Sequence, residues 1–161
     1  MTVSASAGKG LDLSVFTPYR IAFLGRLMSE ELGAAYSDED LTIPEWRVLA
    51  VISQQETVAA RDVVARTPMD KMAVSRAVSS LQTKKLILRE RTKDRRVSAL
   101  KLSPKGKSVF ERVSAIALDY EQALLGAMPQ TEREAFFAGL ARLESAIESS
   151  REKKSRARAA E

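Results

Sequence analysis

Arg76 sits in a row with Met72, Ser79 and Thr83, flanked by Ser75 and Ser80, if the segment from Lys71 to about Lys84 is a helix. One guanidinium among small hydroxyls and a methionine makes a slim surface of hydrogen-bond donors. Such a surface enters a groove and donates to phosphate oxygens and base edges. Lys71, in the first turn, reaches for a phosphate, as does Arg61 on the short segment before it. A second group follows in Lys93, Asp94, Arg95 and Arg96, three cations in four residues. Cations on a loop suit phosphate or minor-groove contact, where the potential is most negative.

Other chemistry is poorly supplied. The chain has no Cys and no His, so a disulfide, a thiolate nucleophile and the commonest general base are all missing. A zinc site would have to be built from carboxylates alone. No glycine loop of the phosphate-cradling kind and no nucleophile–base pair occurs, and Gly numbers only 7. No enzyme, metal or cofactor is expected. No apolar run approaches the ~20 residues of a membrane span, and Met1 to Gly10 lacks a signal-peptide core. A cytoplasmic protein with no membrane partner is expected.

Charge is distributed unevenly along the 161 residues. Thr57 to Ser108 holds 14 of the 26 Lys and Arg and only 4 of the 21 acids, a net +10 inside a remainder of −5. A basic middle in an acidic frame presents one surface to a polyanion, or is a solvated face with no partner.

The elements that must position these residues follow from pattern. Thr17-Pro18 reads as a helix start, with Tyr19, Phe23, Leu24, Leu27, Met28 and Leu32 at helical spacing behind it. Thr42 and Glu45 have capping-box spacing and open a helix carrying Trp46, Leu49 and Ile52. Ala59 to Arg66 is a short helix, Thr67-Pro68-Met69 breaks it, and Asp70 caps the next. On that helix Val74, Ala77, Val78 and Leu81 form the buried face. The period then changes to two over Leu86–Thr92 and Val97–Leu102, a hairpin with the Lys93–Arg96 tip between its strands. Ser103-Pro104 caps a further helix, Pro129 interrupts it, and Thr131 and Glu134 repeat the capping-box spacing. In the last helix Phe136, Leu140, Leu143 and Ile147 form a narrow seam suited to helix pairing. A short helix, a tight turn, a second helix and a hairpin make a helix-turn-helix with a wing.

Three stretches resemble the MarR family of bacterial transcriptional regulators: Pro44–Leu49, Asp70–Val78 with Leu81 and Leu86, and the wing with Asp94, Arg96, Leu100, Leu102, Ser103, Pro104 and Gly106. One departure is Lys85, where the family often has Gly before the Leu that opens the wing, which puts the form of that turn in doubt. The expected fold is mainly α with a small β-hairpin wing (α+β): a single MarR-like domain over 1–161. Within it, 42–103 forms the winged helix-turn-helix, 11–36 and 104–150 the N- and C-terminal dimerisation helices, and 151–161 a basic flexible tail.

The resemblance implies a homodimer that binds double-stranded DNA. Its recognition helices would stand about one DNA turn apart on a pseudo-palindromic operator, as a repressor would. Arg61, Lys71, Met72, Ser75, Arg76, Ser79, Lys93, Asp94, Arg95 and Arg96 would form the DNA surface, with Arg96 in the minor groove and Asp94 holding the wing. Phe136, Leu140, Leu143 and Ile147 would form the dimer seam. Members commonly answer small aromatic or phenolic anions. Tyr19, Arg20, Phe23, Trp46 and Arg47 lie on elements that would line such a pocket, though the spacing of the aromatic residues favours core. A winged helix that binds protein instead of DNA is the alternative.

Overall fold

The computed structural model describes residues 10–91 and 98–159. Its elements are α1 (Thr17–Ala35), a 3-10 turn (Ser37–Glu39), α2 (Ile43–Ser53), β1 (Val58–Ala59), α3 (Ala60–Arg66), α4 (Lys71–Thr83), β2 (Ile87–Arg91), β3 (Ser98–Leu102), α5 (Pro104–Gly126) and α6 (Gln130–Ala159). The mainly helical fold with a small antiparallel sheet is the expected one. The chain divides into two compact units, Met1–Ala117 and Leu118–Glu161, which part within α5.

The first unit owns the core. Val48, Leu49 and Ile52 of α2 meet Val74, Val78 and Leu81 of α4 and Leu100 of β3, all nearly inaccessible to water. Each of these side chains, fully buried, contributes about 1.5–3 kcal/mol. The sheet has the order β1-β3-β2, with Val58 opposite Leu100 and Ile87 opposite Leu102. β1 is two residues long and escapes the sequence pattern, which shows no alternation there. In β2 the expected alternation is broken: Leu86, just before the strand, and Ile87 are both buried, whereas Leu88 is exposed.

Three local expectations need correction. Thr17 does not cap α1; Phe16 is the N-cap, without a side-chain hydrogen bond, and Thr17 and Pro18 are already helical. Pro18 fits there because the first turn needs no backbone donor from it. Thr131 and Glu134 do not form a capping box. The N–H groups of Glu132 and Arg133 donate to the Pro129 carbonyl at 3.0 Å each, so the helix starts two residues earlier, at Gln130, and Gln130 donates to Glu134 instead. The basic segment after Ser150 is no tail apart: α6 continues through it to Ala159. Arg156 and Arg158 lie in its last turn, where cations oppose the negative end of the helix dipole.

The apolar residues of α1 stay exposed in the single chain. Tyr19, Ile21, Phe23, Leu24, Leu27 and Met28 each keep over a third of their surface, and α1 buries none of its residues. In the second unit α6 likewise buries none, and Phe136, Leu143 and Ile147 are exposed. No helix among the described residues is long and apolar enough to cross a membrane.

Candidate nucleic-acid interface

The helix-turn-helix is made by α3, the turn Thr67–Asp70 and α4. Thr67 Oγ donates to the Val63 carbonyl at 2.8 Å and closes the end of α3. Asp70 is the N-cap of α4 and accepts from the Ala73 N–H at 2.7 Å, as its sequence position requires. Val74, Ala77, Val78 and Leu81 are buried, which turns the opposite face outward. Lys71, Met72, Ser75, Arg76 and Ser79 are accordingly exposed, Met72 by 66%. Thr83, also exposed, donates to the Ser79 carbonyl at 3.1 Å, so its hydroxyl is committed to its own helix. A concavity of about 420 Å³ between α3, α4 and β2 gathers three cations over an apolar floor: Arg61, Lys71 and Arg89 around Val64, Val74 and Val78. Arg61 lies 3.7 Å from Asp62 and remains largely solvated. Arg89 was not among the expected residues. Its outward place on β2 shows only once β2 is set beside α4.

α4 is tied to α2 through Glu45, which is only 2% exposed. One carboxyl oxygen accepts from Thr42 N–H at 2.7 Å and Thr42 Oγ at 2.9 Å, and the Glu45 N–H meets Thr42 Oγ at 3.4 Å, which is the capping box. The same oxygen accepts from Lys84 Nζ at 3.1 Å, and the other accepts from Ser80 Oγ at 2.6 Å. Lys84 also reaches the carbonyl of Asp40, whose backbone is left-handed at φ 51°. Burial pushes the Glu45 carboxyl up, but the bonds from Ser80, Thr42 and Lys84 outweigh it and hold the group below its ordinary value. The sequence signals the Thr42 half of this arrangement and not the Ser80 and Lys84 half.

The wing leaves α4 by a left-handed turn. Lys85 has φ 61°, and the Leu86 N–H returns to the Leu81 carbonyl at 2.9 Å, the closure usually built with glycine. The departure at Lys85 therefore does not change the turn; the lysine adopts the glycine conformation. Ser103 then joins wing and helix. Its Oγ donates to the Lys85 carbonyl at 2.7 Å and accepts from the Gly106 N–H at 2.9 Å, and its N–H donates to the Leu86 carbonyl at 2.9 Å. In the strands Lys101 and Glu90 form an ion pair. Lys93, Asp94, Arg95 and Arg96 lie outside the described residues.

The five residues considered for a small ligand do not gather in one place. Trp46 is half-buried and packs against the core, stacked on Phe110 at 5.6 Å between centroids and 6.0 Å from Tyr36. Tyr19 and Phe23 stack on each other at 6.2 Å and are exposed, so they are not core within the chain, and Arg20 is exposed beside them. Arg47 donates to Ser29 Oγ at 3.0 Å and lines an open groove of about 740 Å³ with Gly25, Arg26, Ile43 and Pro44. Neither Tyr19, Arg20, Phe23 nor Trp46 lines that groove. Tyr36, absent from the expected set, is buried with a hydroxyl that has no partner among the described residues. Burial raises its phenol, and the nearby Arg47 charge opposes this.

The sequence model of the MarR family matches residues 39–96. No curated protein is similar enough to match. Among solved structures, a MarR/EmrR family transcriptional regulator from Acinetobacter sp. ADP1 is 25% identical, with 86% of this chain and 99% of that one covered and a TM-score of 0.77. BpsR from Bordetella bronchiseptica, whose DNA binding is regulated by 6-hydroxynicotinic acid, is 22% identical over 83% of this chain and 98% of its own, with a TM-score of 0.71. CouR from Rhodococcus jostii RHA1, solved with p-coumaroyl-CoA, is 18% identical over 83% and 95%, with a TM-score of 0.70.

Proposed function

We propose that this protein is a sequence-specific double-stranded DNA-binding repressor, because the MarR family model matches residues 39–96 and the similar solved structures are MarR-family transcriptional regulators. It acts in the cytoplasm as a homodimer on a pseudo-palindromic operator. The observation that carries the reading is the outer face of α4: Lys71, Met72, Ser75, Arg76 and Ser79 are exposed together, with Arg61 and Arg89 beside Lys71 at its flank. Cations at the flank neutralise phosphates, and the slim row between them fits the major groove. Lys93, Asp94, Arg95 and Arg96, which lie outside the described residues, add cations for phosphate contact by their sequence. A winged helix that docks on protein would present a neutral or apolar face at this place.

The exposed apolar sides of α1 and α6 support the homodimer. Tyr19, Phe23, Leu24 and Leu27 on one helix and Phe136, Leu143 and Ile147 on the other, with the half-buried Leu140 beside them, are costly to leave in water and suit a second copy. A small aromatic or phenolic anion releases the DNA. Arg47 in its groove supplies a cation, and BpsR and CouR are neighbours in fold whose small molecules carry aromatic rings.

Selection of bound sequences from a random duplex pool tests the central reading. The expected result is a pseudo-palindrome whose affinity falls steeply with salt. Recovery of no preferred sequence overturns it. Release of the selected DNA by aromatic acids, lost in Arg47→Ala, tests the ligand.

A further inference from the structure

We infer that Glu45 is a positioning residue for base recognition: through Ser80 it fixes the roll of α4 and so aims Arg76 at the DNA. The inference rests on the DNA-binding reading above.

Glu45 is anchored on its own helix by both polar groups of Thr42. That leaves the oxygen bonded to Ser80, at 2.6 Å, as a fixed point on α2 against which α4 is set. Ser80 is one helical turn after Arg76, so the two side chains stand on the same stripe of α4, one above the other. A shallow groove of about 260 Å³ shows the adjacency directly, for Arg76, Ser80, Ala73, Glu45 and Thr42 all border it. Lys84 lies one further turn along the same stripe and bonds the other carboxyl oxygen at 3.1 Å.

Two contacts a turn apart resist rotation of a helix about its axis far better than one, and apolar packing alone resists it weakly. Val74, Val78 and Leu81 can repack with a small roll at modest cost, because dispersion contacts are not directional. A buried carboxylate cannot, since losing a donor leaves charge unsatisfied. A roll of a few degrees moves the tip of a long arginine by far more than it moves Ser80. Phosphate contacts tolerate that displacement; bidentate contacts to a base edge do not.

The experiment compares two affinities, for the selected preferred site and for random duplex, in the wild type, Ser80→Ala, Ser80→Thr and Glu45→Gln. Ser80→Ala keeps or improves helix propensity, so folding is retained and is verified by thermal melting. Affinity for the preferred site is expected to fall about tenfold in Ser80→Ala, as loss of one base contact by a misaimed Arg76 would give, while affinity for random duplex changes by less than about twofold. Ser80→Thr, which keeps the hydroxyl, restores selectivity. Glu45→Gln, which keeps the shape and loses the charge, reduces selectivity in the same direction. If the ratio of the two affinities is unchanged in both Ser80→Ala and Glu45→Gln, or if both affinities fall together, Glu45 only stabilises the fold and the inference is wrong. A wild type with no preferred site overturns the DNA-binding reading and this inference with it. A selective wild type with an equally selective Ser80→Ala overturns this inference alone.

Discussion

Gly106 packs against the backbone carbonyl of Leu86 so closely that a β-carbon at Gly106 would come far inside van der Waals contact with the Leu86 oxygen. The contact places the first turn of α5 on the exit from α4, where Ser103 already bonds the carbonyl of Lys85. Gly106→Ala must separate α5 from the wing base or break the Ser103 bonds. Overpacking of this kind costs about 1–3 kcal/mol or more. Urea unfolding should show it as a lowered midpoint, and a midpoint within error of wild type would mean the junction yields freely.

Lys85 offers the opposite change. At φ 61° it holds a left-handed conformation that costs a side-chain-bearing residue about 1 kcal/mol relative to glycine. Its side chain is exposed. Lys85→Gly should therefore raise the stability by about 1 kcal/mol, less the extra entropy of glycine in the unfolded chain. A melting temperature that falls would show that the lysine side chain contributes something the backbone argument omits.

The carboxyl of Glu45 predicts an acid response. Its folded value lies below the ordinary one, so the folded protein binds a proton there less readily than the unfolded chain. The stabilisation is fully present above the unfolded carboxyl value of about 4.3 and is lost as pH falls through the folded value beneath it. Glu39, held low chiefly by its hydrogen bonds from Arg112 at 2.7 Å, adds in the same direction, though at an exposed site that salt screens. Glu45→Gln should be less stable than wild type at neutral pH and should flatten the stability curve below about pH 4.3. Parallel curves for the two proteins would remove Glu45 from the acid transition.

Arg76→Ala and Arg96→Ala separate reading from holding. Arg76→Ala should lower affinity for the preferred sequence by about 1–3 kcal/mol and relax the choice of base at one position. Arg96→Ala should lower affinity and the salt slope without altering the melting temperature. If Arg76→Ala weakens all sequences equally, Arg76 is a phosphate contact; if Arg96→Ala leaves affinity unchanged at low salt, the wing takes no part.

Leu143 is 46% exposed in the single chain, on the seam with Phe136, Leu140 and Ile147. If the seam forms the proposed homodimer interface, Leu143→Asp places a carboxylate in it at a cost of several kcal/mol. Light scattering should then show a folded monomer, with helix content retained. A stable dimer would place the seam against something other than the second copy.

Much of the interface was legible because it depends on neighbours in sequence. The faces of α4 follow from the turn of the helix: Val74, Ala77, Val78 and Leu81 are apolar and buried, and the row with Arg76 is left outside. Asp70 and the Thr42–Glu45 pair act over three residues, so their spacing suffices. Spacing is not sufficient everywhere. Thr131 and Glu134 have the same separation, yet α6 starts two residues earlier, at Gln130, with the Pro129 carbonyl accepting its first bonds, so Thr131 lies inside the helix.

Long-range partnerships decided the rest. Ser80 lies 35 residues from Glu45 and Lys84 lies 39, and only packing of α4 on α2 brings them to one carboxylate. β1 exists because β3 offers its edge to Val58 and Ala59, not because two residues prefer a strand. Trp46 and Tyr19 looked alike as apolar rings at helical spacing; the fold gives one a stack of rings against the core and leaves the other exposed. Sequence by itself determines which face of a helix is apolar, because that is a matter of angle along one chain. Which apolar faces are covered, and which polar groups meet, depends on free energies between segments distant in sequence, and those are settled only when the tertiary structure closes.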